Sequence, residues 1–265
     1  MKHLVIAALA CAASMAAAWA QPVAPEIIEG VALQLPGRAE VYRERHEIGT
    51  LGHRIEYRAP DGTLIARNVL DYRCSDSAPD FEQLDLRGNS LIGARWQDGK
   101  YLLLRGDETR ALDPAAALVA SSGFDRFVRA NWEALAAGDS IDADFALPAR
   151  LQTLRLRMAR TEAPEELPGS ALWLRIVPVQ PLLRAFVDPI ELAYDSGRRL
   201  LLYRGLSNPT SADGKALTVE IRYRPVPGED PAREREIATT APVANEPTAD
   251  APRTPALLHC SREKS

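Results

Sequence analysis

The residues best suited to chemistry lie in one short region. Glu44, His46 and His53 fall within ten positions, and a turn carrying Gly49 and Gly52 sits between the histidines. If residues 40–48 and 54–58 pair as a hairpin, His46 and His53 approach each other across it, with Glu44 and Glu47 nearby. Two imidazoles and a carboxylate can hold a metal or move a proton. The same residues also serve as ordinary polar groups on a wet strand face, and the sequence leaves both readings open. His259 and Cys260 are adjacent but have no partners at metal-ligand spacing. Asp142 and Asp144 share one face of a strand and could hold a cation or act as an acid–base pair, although a solvated strand face is the use the pattern favours. No HExxH, GxSxG, phosphate-binding loop or dinucleotide fingerprint is present. No catalytic residue, metal ligand or cofactor is therefore assigned.

Apolar residues offer a second kind of site. In the segment "SSGFDRFVRANWEALAAGD", Phe124, Phe127, Val128, Trp132 and Leu135 recur at helical spacing, between Ser122 as a start signal and Gly138 as a stop. Two stretches, "DGKYLLLRG" and "SGRRLLLYRG", each run leucine through both faces of an expected strand. Leu103 and Leu201 point opposite to their leucine neighbours, and something must cover them. Leu103, Leu201, Phe124, Phe127 and Trp132 are thus the candidates for lining an apolar ligand groove.

These residues need strands to position them. Turn signals at "APDGT", "QDGK" and "YDSGR" join consecutive apolar runs and favour antiparallel pairing. The expected fold is α+β: a curved, mostly antiparallel sheet of hairpins, in the manner of a half-barrel, with one main helix on it. A short helix is expected at 113–120 and a helical turn at 179–187. The proline-spaced stretch 21–36 is expected to be an extended linker, residues 37–226 a single domain, and the Pro, Ala, Thr and Glu-rich stretch 227–265 a disordered tail.

The N-terminus addresses the compartment. Lys2, an alanine-rich apolar stretch and "AWA" at Ala18–Ala20 form a signal peptide, with cleavage expected after Ala20 and export to the periplasm. A lipoprotein reading with lipidated Cys11 leaves a very short apolar region and is the weaker one. No later stretch is long and apolar enough for a membrane span. Net charge is −4 over 265 residues with no basic stripe, which argues against nucleic-acid binding. After cleavage Cys74 and Cys260 remain, and in an oxidising compartment they could close a disulfide.

The combination "YRERHEI…YRAPDGTLIARNVLDY…GFDRFVRANWEALAAGD…VDPIELAYDSGRRLLLYRGLSN" resembles a family of uncharacterised exported proteins of Gram-negative bacteria, over roughly residues 39–224. That resemblance implies no activity, cofactor or catalytic residue. At the level of fold, the hairpin-rich sheet is similar to curved-sheet envelope proteins such as periplasmic lipoprotein carriers, whose concave face holds acyl chains. Three functions follow as expectations: a non-catalytic binder of an apolar or lipid-like ligand, an envelope module that binds another protein, or an enzyme with a site near Glu44, His46 and His53.

Overall fold

The computed structural model describes residues 25–113, 117–163, 167, 170–211 and 213–226. The expected signal peptide, the alternative lipidation site Cys11, the tail from residue 227 and Cys260 lie outside the described residues.

Fifteen strands form one sheet. The first eight are β1 (Glu26–Gln34), β2 (Glu40–Ile48), β3 (Gly52–Arg58), β4 (Leu64–Asp71), β5 (Asp80–Asp85), β6 (Ser90–Gln97), β7 (Lys100–Arg105) and β8 (Glu108–Leu112). The remainder are β9 (Leu118–Val119), β10 (Ile141–Leu147), β11 (Gln152–Arg160), β12 (Leu172–Pro178), β13 (Ile190–Tyr194), β14 (Leu200–Leu206) and β15 (Thr218–Pro225). Two short helices, α1 (Gly123–Ala130) and α2 (Trp132–Ala137), follow β9. The spatial order runs β8 back to β1, then β15 back to β9, so each half is a meander and the β1–β15 pairing joins them. Every pairing is antiparallel except β9 with β10. The α+β fold expected from the turn signals is therefore the observed one. The two edge regions approach one another where Arg105 donates to the Ala149 carbonyl (3.1 Å) and Arg110 to that of Leu151 (3.2 Å).

Strand β1 corrects the linker expectation. Residues 26–34 occupy the middle of the sheet, between β2 and β15. Its inward positions Ile28, Gly30 and Ala32 are small or interrupted by glycine, so the stretch lacks the bulky alternation of an obvious strand. Gly30 is required: a Cβ there would lie 2.8 Å from side-chain atoms of both Ile221 and Tyr223 on β15. The expected short helix at 113–120 is likewise corrected, because Leu118–Val119 pair with β10 as β9.

The helical stripe divides at Asn131 into α1 and α2, and Gly138 closes α2 in the left-handed conformation (φ 101°). Ser122 stands at the start of α1 without donating or accepting a capping side-chain hydrogen bond. What fixes this helix start is backbone contact: Ala120 donates to the Ser77 carbonyl, and a Cβ on Gly123 would lie 2.2 Å from that same oxygen.

Buried side chains form two main clusters. One, on β2–β7 and β15, contains Tyr42, Ile55, Tyr57, Leu70, Tyr101 and Leu103. The other lies beneath the helices on β11–β14 and contains Val128, Leu135, Met158, Leu174, Leu192 and Tyr194. Tyr203 packs against both.

The leucine runs resolve differently. Leu103 is fully buried in the first cluster, so protein covers it. In β14 the register slips: Tyr194 pairs with Leu200 while Ala193 pairs with Leu202, which leaves Leu201 as the extra residue of a bulge. Leu200 then faces the helix side, whereas Leu202 packs with Trp173 and Ala193 on the opposite face.

Candidate functional site

A cavity of about 190 Å³ lies between the two clusters, bounded by α1, β2, β3, β13–β15 and the turn after β4. Its apolar wall includes Ile28, Ile55, Phe124, Ile176, Leu192 and Leu200. Of the five apolar candidates, Phe124 lines this cavity. Leu103, Leu201, Phe127 and Trp132 do not, which corrects that expectation. Phe127 and Trp132 pack against the helix-side cluster, and Leu201 borders a separate recess of about 50 Å³ near Asp195 and Arg199. The bulge accounts for Leu201. Helical periodicity accounts for Phe127 and Trp132, since the face of α1 that reaches the opening carries Phe124, Asp125, Arg126 and Arg129.

Glu44, His46 and His53 do line the cavity, and all three are buried. Strand alternation puts them there: Tyr42, Glu44, His46 and Ile48 point inward from β2 while Arg43, Arg45 and Glu47 point outward. The inward set reads as polar in sequence, so a wet-face assignment fits equally well until the strands are placed.

The three form one hydrogen-bonded chain with two tyrosines. Glu44 Oε2 lies 2.9 Å from His46 Nε2 and accepts from the Tyr223 hydroxyl at 3.0 Å. His46 Nδ1 lies 2.9 Å from His53 Nε2, and His53 Nδ1 lies 3.3 Å from the Tyr72 hydroxyl. With Glu44 ionised, and so only an acceptor, the proton positions follow along the chain. His46 donates from Nε2 to Glu44, His53 donates from Nε2 to His46 Nδ1, and Tyr72 donates to His53 Nδ1. Both rings then carry their proton on Nε2, and all four ring nitrogens are committed. Burial, His46 and Arg126 together hold the His53 imidazole well below its ordinary range, so it stays neutral near neutral pH. Burial and the Glu44 carboxylate push the Tyr223 phenol up.

Helix α1 closes this end. The Arg126 guanidinium carbon lies 3.6 Å from the Tyr72 ring centroid, and Arg126 donates to Asp76 (2.6 Å) and to the Thr50 carbonyl (2.8 Å). Arg129 pairs with Asp125 at 2.9 Å.

Other polar groups around the cavity are also committed. Tyr57 accepts from Asn208 (3.2 Å), Tyr203 donates to the Leu206 carbonyl (2.7 Å), and Ser207 donates to the Pro209 carbonyl (2.6 Å). Ser121, held at a positive φ of 46°, accepts from the buried Asn68 (3.0 Å). Among the described residues that line the cavity, the Ser122 hydroxyl has no protein partner, and Asp125 Oδ1 and Arg129 Nε are buried without a hydrogen bond, although the two side chains pair as ions. Tyr223 and Arg126 escaped the sequence reading because they come from elements far away in the chain, and Tyr72 because it joins the histidines only once β4 pairs with β3. Glu44 and Tyr223 are 179 residues apart.

Asp142 and Asp144, the other carboxylate pair, lie on β10 and meet Arg157 (2.7 Å) and Arg155 (3.4 Å). They form exposed cross-strand ion pairs. Among the described residues no group of three or more His, Cys, Asp or Glu side chains is placed to hold a metal ion. No described helix is long and apolar enough to cross a membrane. Cys74 is disulfide-bonded, and its expected partner Cys260 lies outside the described residues.

No family model and no curated protein matches the chain. Among solved structures the chain is similar to a β-barrel-like protein of a domain of unknown function, DUF1849, from Brucella abortus. That similarity has 8% identity and a TM-score of 0.39, over 78% of this chain and 97% of that chain.

Proposed function

We propose that this is an exported periplasmic protein that binds a small apolar ligand, without chemistry, in the cavity beneath α1. The observation that carries the reading is the pairing of polar side chains around the cavity with one another. A polar ligand entering it gives up its hydrogen bonds to water and finds few free partners, which costs roughly 1–3 kcal/mol per orphaned group. An apolar ligand incurs no such loss and gains about 25 cal/mol for each Å² of apolar surface removed from water. The saturated imidazoles also argue against general-base catalysis, because no ring nitrogen is free to take a substrate proton. The signal-peptide pattern and the disulfide at Cys74 support an oxidising, exported setting.

Volume limits the ligand. An engineered apolar cavity of about 150 Å³ admits benzene, so a cavity of about 190 Å³ fits a small aromatic ring or a short acyl segment. A complete diacyl lipid exceeds it.

Melting the purified protein in rising concentrations of benzene tests the reading. The melting temperature should climb with the logarithm of benzene concentration, and Leu200→Trp, which fills the cavity wall, should abolish the effect. A wild-type melting temperature that ignores saturating benzene would overturn the proposal.

A further inference from the structure

The chain from Tyr72 to Glu44 has a direction, and a single proton reverses it. In the resting arrangement each donor points toward Glu44, and the Tyr72 hydroxyl proton is used on His53 Nδ1. The charged and titratable groups facing the pair are Glu44 on β2, Tyr223 on β15, Tyr72 after β4, and Arg126 with the Asp125–Arg129 pair on α1. Asp76 stands behind Arg126. Within that set, positive charge is best placed on His46, which lies against Glu44. It is worst placed on His53, which lies nearer Arg126.

We propose that proton uptake by the His46–His53 pair releases the Tyr72 hydroxyl into the cavity and thereby lowers its affinity for apolar ligands. One proton from solvent binds His53 Nδ1, and the proton on His53 Nε2 passes to His46 Nδ1. One N–H bond breaks, two form, and no electrons are exchanged. His46 becomes an imidazolium against Glu44. His53 is again neutral but now carries its proton on Nδ1, so it donates to the Tyr72 oxygen. Tyr72 changes from donor to acceptor, and its own proton must turn elsewhere.

Tyr72 is one of the residues lining the cavity. With its donor committed, that stretch of wall offers an apolar ligand nothing to orphan. With the donor released, an apolar ligand excludes the water that would satisfy it, and the cost falls on binding. Burial, His46 and Arg126 hold the His53 imidazole well below its ordinary range, so the charge taken up by the pair does not rest on His53. The inference rests on the apolar-ligand reading of the same cavity, and it adds an acid-triggered weakening to it.

Two measurements separate the parts. Ring-nitrogen NMR of histidine-labelled full-length protein, titrated from about pH 7.5 to about pH 4, reads the tautomers without any ligand. Both rings should begin as Nε2–H, and on acidification His46 should become doubly protonated while His53 moves its proton to Nδ1. Benzene, whose own charge does not change with pH, reads the consequence. Its affinity should fall on the order of tenfold across the same transition, and in Tyr72→Phe it should change by less than about twofold. A His53 ring that keeps Nε2–H while the pair protonates would overturn the reversal, as would spectra unchanged down to the lowest pH. Wild-type affinity that stays flat, or a Tyr72→Phe variant that keeps the wild-type slope, would overturn its link to the ligand. Should benzene bind at no pH, the cavity reading fails and takes the ligand link with it, while the ring spectra still decide the reversal.

Discussion

Tyr223 reaches Glu44 across the breadth of β1, and it does so over Gly30. In register, Gly30 sits opposite Tyr223 on one side and opposite Glu44 on the other. The absent side chain is the space through which the phenol passes to within 3.0 Å of the carboxylate. Gly30→Val should therefore push Tyr223 off Glu44 and overpack the rung, costing about 1–3 kcal/mol. Denaturant midpoints will show it. Tyr223→Phe removes the hydrogen bond without the clash and should cost less, about 1–2 kcal/mol.

The acid limb of stability carries the mark of His53. Its pKa is lowered in the folded protein, so below about pH 6.5 the unfolded chain binds a proton that the folded chain refuses. Stability is unaffected by this group above that pH and falls as pH drops below it, by up to about 1.4 kcal/mol per pH unit, until the folded pKa is reached. His53→Gln should flatten that part of the profile, measured as the unfolding midpoint between about pH 7 and pH 5.

How much of this was legible in the sequence depends on the range of each interaction. The hairpin that juxtaposes His46 and His53 is local, and its turn glycines announce it. Its inward orientation is not local: it depends on which side of the sheet the core lies, and alternating polar residues do not declare that. Tyr223 and Tyr72 join the histidines only after β15 closes on β1 and β4 pairs with β3. Strand β1 was hidden because Gly30, placed for the passage of Tyr223, broke the apolar pattern that would have revealed it. Leu201 misled for a different reason, since a bulge shifts alternation by one and turns a residue read as inward into an unpaired one.

On the outer face Glu220 is fully buried beneath three arginines, Arg204 (2.7 Å), Arg222 (2.9 Å) and Arg38 (3.1 Å). Burial opposes its ionisation, yet hydrogen bonds from Arg204, Arg38 and Arg222 hold its carboxyl down at about 2. A depressed acid contributes stability above its unfolded pKa and loses it as pH falls toward the folded value. Glu220 should thus add a second acid-labile component, below about pH 4.5 and separate from that of His53. Glu220→Gln should cost about 1.5–3 kcal/mol at neutral pH and remove that lower component in urea titrations.

The disulfide at Cys74 bears on how the chain ends. Cys74 follows Tyr72 by two positions, and Asp76 beyond it binds Arg126 (2.6 Å), so the bridge starts from the turn that carries one end of the hydrogen-bonded chain. If cleavage after Ala20 removes Cys11, Cys260 is the remaining intramolecular partner. Non-reducing peptide mapping of the exported protein should then recover a Cys74–Cys260 linked pair. Closing so long a loop is worth up to about 5 kcal/mol in the chain-entropy account, and reduction should lower the melting temperature accordingly. Free thiol at Cys74 in freshly exported protein, or a linkage between two molecules, would contradict this pairing.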